Sequence, residues 1–135
     1  MEEIQRTEAT NPTAVKTILI VEDDIDIGFA LAQVLKEETS SYRVIFATDG
    51  FQALKMVRTI VPQIIILDYL LPNMDGLEVV EKLRVTKGME QTPIIFMSAN
   101  MPRQARERND LVVLEKPFEL DALLHLVKQF LDDSR

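Results

Sequence analysis

No cysteine occurs in the 135 residues, which excludes disulfides, thiol nucleophiles and thiolate metal sites and fits a reducing, cytoplasmic setting. Long apolar runs are missing too. The longest pure ones, such as Ile18–Val21, are strand-sized, far short of the roughly 20 residues of a membrane span. Glu2, Glu3, Arg6 and Glu8 precede any apolar run, so no signal peptide is expected. Basic charge is scarce: 15 Lys and Arg face 22 Asp and Glu, a net charge of −7. A nucleic-acid surface needs clustered cations. The one local basic cluster, Arg103, Arg106 and Arg108, is interrupted or flanked by Glu107, Asp110 and Glu115. Internal repeats, low-complexity segments and a P-loop are also absent.

What is present is a soluble balance, 47% apolar and 27% charged, in a chain of single-domain size. Residues 1–15 carry no hydrophobic periodicity and read as a flexible arm; the folded domain is expected over 16–135. From there the pattern alternates. Thr17–Val21 is an apolar run of the kind that forms a parallel strand covered on both faces. Ile27, Ala30, Leu31, Val34 and Leu35 recur at helical spacing. Arg43–Ala47 reads as a strand and a helix starts near Asp49, with Leu54, Val57 and Val61 apolar. Ile64–Leu67, Ile94–Met97 and Leu111–Leu114 are further strands. Gly76 to about Val85 and Phe118 to about Leu131 are helices, the last with the stripe Leu120, Leu123, Leu124, Val127 and Leu131. Between Ser98 and the fifth strand the segment is nearly all polar, so the fourth helix should be short and exposed, or nearly lost. Strands alternating with helices make an α/β sheet of right-handed crossovers.

In open sheets of this kind ligands bind beyond the carboxyl ends of the strands. Glu22-Asp23-Asp24 follow the first strand, Asp68 the third, Ser98 the fourth, and Lys116-Pro117 come just after the fifth. Singly, each has an ordinary reading: a helix cap, a turn, loop filler, a solvated charge. Their convergence on one edge has none. Carboxylates crowded in a crevice repel and tend to hold protons, and a hard cation such as Mg²⁺ relieves that. A carboxylate nucleophile, a metal, a lysine and a hydroxyl suffice for phosphoryl transfer to Asp68.

The motifs Ile20-Val21-Glu22-Asp23-Asp24, Leu67-Asp68-Tyr69-Leu70-Leu71-Pro72-Asn73-Met74-Asp75-Gly76, Met97-Ser98-Ala99 and Lys116-Pro117-Phe118 resemble the receiver domain of two-component response regulators, over residues 16–133. The resemblance implies a flavodoxin-like, doubly wound α/β fold, a five-stranded parallel sheet of order 2-1-3-4-5, here with a shortened fourth helix. It implies that Asp68 is the phospho-acceptor and that Glu22 and Asp23 serve Mg²⁺, Asp23 the more directly, together with Asp68 and the main-chain carbonyl of Leu70. Ser98 would be the switch hydroxyl and Lys116 the phosphate-contacting lysine. The implied donor is a sensor histidine kinase or a phosphotransfer protein. The implied output is phosphorylation-dependent binding to a downstream protein, with no direct nucleic-acid contact and no membrane insertion. The expectation is a stand-alone signalling domain rather than an enzyme, because the last helix consumes the C-terminus.

Three departures from the family pattern stand out. Val113 occupies a position where the family often has an aromatic ring that swings inward on activation. The interval from Ser98 to Lys116 is short by about one helical turn, and Asn109-Asp110 replace a common Gly-Ala pair. Leu70 sets an apolar side chain beside the acceptor, where it could shield an acyl phosphate from water. Other readings stay open at this point. A receiver-shaped interaction module that is never phosphorylated is the nearest. A haloacid-dehalogenase-type phosphatase wants an Asp where Leu70 stands, and a flavin carrier's phosphate would be repelled by Glu22-Asp23-Asp24. Leu126 and Phe130 either widen the core arc of the last helix or serve a dimer or partner contact, and His125 should lie on the surface.

Overall fold

The computed structural model describes residues 16–39 and 41–133; the arm expected over residues 1–15 lies outside them. The chain alternates β1 (Lys16–Val21), α1 (Ile25–Glu38), β2 (Tyr42–Ala47), α2 (Gly50–Met56) and β3 (Ile64–Asp68). It continues with α3 (Gly76–Arg84), β4 (Ile94–Ser98), α4 (Arg103–Arg106), β5 (Val112–Glu115) and α5 (Leu120–Asp133). All pairings are parallel, and the sheet order is β2-β1-β3-β4-β5, as expected.

The apolar strand runs divide by the period of two. Leu19, Val21, Ile65, Leu67, Ile94 and Phe96 face one layer, with Ala53, Val79, Val80, Leu83 and Ala105 from α2, α3 and α4. Ile18, Ile20, Ile64, Ile66, Ile95 and Met97 face the other, with Leu31 and Leu35 of α1 and Leu123, Val127 and Leu131 of α5. Burying each such side chain contributes about 2 kcal/mol, so both faces of the central strands reward continuous hydrophobicity.

Asp24, Asp49 and Asp75 cap α1, α2 and α3, accepting from the N–H groups of Ile27, Gln52 and Glu78. Glu78 returns the bond to the Asp75 N–H at 3.2 Å, completing a capping box. Asp24 therefore has the ordinary role considered for it, whereas Glu22 and Asp23 do not cap.

Three helical stripes differ from expectation. On α5 the stripe begins at Leu123, because Leu120, the first residue of the helix, is exposed. On α1 the inward positions are Gly28, Leu31 and Leu35, while Ile27 and Ala30 are exposed. Gly28 faces inward because the Phe46 ring fills the space beneath it; a Cβ there would lie 2.1 Å from Phe46 Cε1. On α2 the helix stops at Met56, and Val61 lies beyond it in solvent. Leu126 and Phe130 pack against the second cluster, so the widened core arc is the observed arrangement. His125 is exposed. The short α4 is present as expected, although its Ala105 is fully buried.

Candidate functional site

Asp68 and Ser98 are the last residues of β3 and β4, and Glu22 and Lys116 directly follow β1 and β5. In a parallel sheet these positions share one edge. Glu22 is pinned there by its N–H donating to Ala47 O at 3.0 Å, and Lys116 by its N–H donating to Ser98 O at 2.9 Å. Carboxylate oxygens of Glu22, Asp23 and Asp68 lie within 4.8 Å of one another. Lys116 Nζ donates to Asp68 Oδ1 at 2.8 Å and stands 3.7 Å from Glu22 Oε1. Glu22, Asp68 and Ser98 are buried, whereas Asp23 is exposed at the mouth.

Burial dominates the electrostatics. It raises the Asp68 carboxyl above the usual carboxylate range, outweighing the hydrogen bond and charge of Lys116 that act the other way. Glu22 is raised as well, by burial first and by the Asp68 charge, against the Asp24 N–H. For Lys116 burial acts downward, but the Asp68 hydrogen bond and the charges of Asp68 and Glu22 prevail, and its ammonium is held above its ordinary value. The crevice therefore holds excess negative charge that one lysine does not neutralise.

The donor set fits a hard divalent cation. Glu22 Oε2 accepts from the Asp24 N–H at 3.1 Å, but the buried Glu22 Oε1 has no hydrogen-bond partner. An orphaned buried carboxylate oxygen beside two further carboxylates supplies the hard oxygen ligands that Mg²⁺ prefers, with room left for waters and phosphoryl oxygens. The Leu70 side chain is 68% exposed, on the loop that leaves the acceptor.

Ser98 Oγ accepts from the Asn100 N–H at 3.1 Å, a local turn that ties the hydroxyl to the loop after β4. Gly76 closes the loop after the acceptor: its N–H donates to Tyr69 O at 2.8 Å. A Cβ on it would meet Asp68 O at 2.6 Å and Tyr69 Cα at 2.8 Å. Beside the site, Ile27, Ala99, Lys116, Pro117 and Phe118 line an open, largely apolar pocket of about 420 Å³.

Away from the site, sequence reasoning missed one network. Arg84 of α3 donates to Asp110 Oδ2 (2.8 Å), Asp110 O (3.0 Å), Met89 O (2.9 Å) and Thr92 O (2.9 Å). Arg108 grips the same carboxylate through two nitrogens at 2.8 Å and reaches Glu81. Asp110 is held well below the usual carboxylate range, chiefly by Arg108 and then by Arg84. Arg106 pairs with Glu115. Two of the three clustered arginines are thus committed to internal ion pairs. The spacing of Arg84 and Asp110, far apart in sequence, gave no signal of this.

A doubly wound sheet whose edge gathers buried acids around a lysine defines a signalling receiver. The response regulator receiver domain family matches residues 18–128, and the chain belongs to that family. Sporulation initiation phosphotransferase F of Bacillus subtilis is 33% identical over an alignment of 118 positions that covers 84% of this chain and 92% of that protein. The alkaline phosphatase synthesis transcriptional regulatory protein PhoP of the same organism is 44% identical over 84 residues, 62% of this chain but only 33% of that protein. Among solved structures, the receiver domain of a Pseudomonas aeruginosa sensor histidine kinase superposes with a TM-score of 0.75 at 27% identity, covering 87% of this chain and 98% of that one. That structure has a magnesium ion coordinated in its active-site cleft. The chain is accordingly a receiver domain of two-component signalling, and no helix among its described residues is long and apolar enough to cross a membrane.

Proposed function

We propose that this receiver accepts a phosphoryl group on Asp68 from the phosphohistidine of a sensor kinase or phosphotransfer protein, and that a protein partner reads the phosphorylated form. The observation that carries this reading is the 2.8 Å contact of Lys116 with Asp68, set among the clustered carboxylates of Glu22, Asp23 and Asp68. An Asp68 carboxylate oxygen attacks phosphorus, the P–N bond to the donor histidine breaks, and its electron pair leaves with the imidazole nitrogen. Lys116 then turns from the carboxylate to a phosphoryl oxygen, and the Ser98 hydroxyl donates a hydrogen bond to another.

Glu22, Asp23, Asp68 and the Leu70 carbonyl would hold Mg²⁺. The ion supplies charge neutralisation for the attacking carboxylate and the phosphoryl oxygens. The apolar pocket at Ile27, Ala99, Pro117 and Phe118 lets a protein donor bury surface next to the acceptor. The similarity to a phosphotransferase supports onward transfer as a further route for the phosphoryl group.

The test is intact mass after incubation with a small phosphodonor. One added phosphoryl group is expected in the presence of Mg²⁺, lost when Mg²⁺ is chelated and lost in Asp68→Asn. No adduct, together with no Mg²⁺ binding by calorimetry, would replace this reading with an interaction module that is never phosphorylated.

A further inference from the structure

An acceptor that changes state must move something a partner can touch, and few side chains near Asp68 can move. The backbone on either side of the acceptor is fixed. The Tyr69 N–H donates to Met97 O at 2.9 Å, its carbonyl accepts from Gly76, and Gly76 leaves no room against Asp68 O and Tyr69 Cα. Across the sheet, Leu67, Phe96 and Val113 form one row. Leu67 and Phe96 are fully buried. Val113 is half-buried and β-branched, with a single stiff torsion.

Tyr69 differs from all three. The strand register pairs Asp68 with Met97, so continuing it by one residue sets Tyr69 beside Ser98. Its ring is half-buried and leans on Phe96, with centroids 5.9 Å apart and planes tilted by 50°. It packs against the same core cluster that receives Met101 from the loop after β4, Ala105 from α4, and Val113 from β5. Ser98 in turn anchors that loop through the Asn100 N–H. When the Ser98 side chain turns to aim its hydroxyl at a phosphoryl oxygen on Asp68, the bond that Oγ accepts from the Asn100 N–H is re-aimed, and the start of the loop from Ala99 to Pro102 shifts with it. Register sets Tyr69 beside Ser98, at the foot of that loop.

We propose that Tyr69 is the readout residue of this receiver: its ring, seated on Phe96 beside Ser98, couples the occupancy of Asp68 to the position of the loop after β4 and so to the surface of α4 and β5. This rests on the phospho-acceptor reading above.

The experiment uses the full ¹⁵N-labelled chain with Mg²⁺ and beryllofluoride, a stable phosphoryl mimic, and follows bound fluoride by ¹⁹F NMR and amides by ¹H–¹⁵N correlation. In the wild type, binding is expected to shift the amides of Asn100, Met101, Ala105 and Val113. Tyr69→Leu is expected to bind the mimic yet lose most of those shifts, and Tyr69→Phe to restore them. Should Tyr69→Leu fail to fold, Tyr69→Met removes the ring while keeping an apolar side chain of useful length. Full wild-type shifts in the ring-less variant, with mimic bound, would overturn the coupling while leaving the phospho-acceptor reading intact. Absence of bound fluoride in the wild type would remove that reading and this inference with it.

Discussion

At Asp68 two opposing effects meet, and burial wins. Its folded pKa lies above the ordinary value despite the adjacent Lys116. Stability tied to such a group is full below its unfolded pKa and is lost as pH rises through the raised folded one. At neutral pH without a cation the charged Asp68 therefore opposes folding. Asp68→Asn is expected to raise Tm by a few degrees in Mg²⁺-free buffer, an advantage that vanishes in acid; a calorimetric series in pH checks this. Leu70 bears on the proposed phosphorylated form instead. An apolar, exposed side chain two residues past the acceptor offers no polar group to position water. The acyl phosphate is expected to last minutes or longer, and Leu70→Asn to shorten it several-fold, followed by intact mass over time. Wild-type decay within seconds would refute the shielding.

At the scale of elements, close approach and charge pairing set what each segment tolerates. In Gly28→Ala the new methyl would meet Phe46 Cε1 at 2.1 Å, so the Phe46 ring or α1 itself must shift. A loss of about 2 kcal/mol is expected in urea unfolding, within the range of overpacked cores. The α4–β5 segment depends on the guanidinium pair around Asp110. Arg84 is largely buried and Asp110 about two-thirds so, which keeps the pair from being screened like a surface bridge. Asp110→Asn is expected to cost about 2 kcal/mol near neutral pH. The Asp110 pKa is depressed on folding. Its contribution is therefore present above the unfolded pKa and lost only as pH falls through the folded value, so the gap between wild type and variant should close in strong acid.

For the whole molecule, the raised Glu22 and Asp68 make cation binding, protonation and stability one linked equilibrium. As pH falls toward the raised carboxyl pKa values, Mg²⁺ would compete with protons that burial favours. Its affinity is expected to fall as pH drops from neutral into the carboxylate range, and titration calorimetry in two buffers within that range should show proton release. At a concentration 100 times Kd, Mg²⁺ stabilises the fold by about 2.7 kcal/mol. A Tm unchanged by millimolar Mg²⁺ at neutral pH would argue against the site.

The sequence by itself determined the alternation of layers, and its motifs, through their resemblance to receiver domains, the strand order. Uninterrupted Ile, Leu and Val runs of strand length read as strands covered on both sides, and in a parallel sheet the acids, serine and lysine that follow them meet at one edge. It also placed the cap at Asp24, the start of a helix near Asp49 and the brevity of α4, because those are local effects of neighbouring residues. Only the tertiary structure decided which way α1 turns, since Gly28 matters through Phe46 on another element. The same holds for Arg84 with Asp110 and for Tyr69 with Phe96, pairs joined by strand register and loop closure. Burial at Asp68 and Glu22 is likewise a property of the assembled edge, because the low dielectric that raises both carboxyls exists only once the sheet and its helices have closed around them.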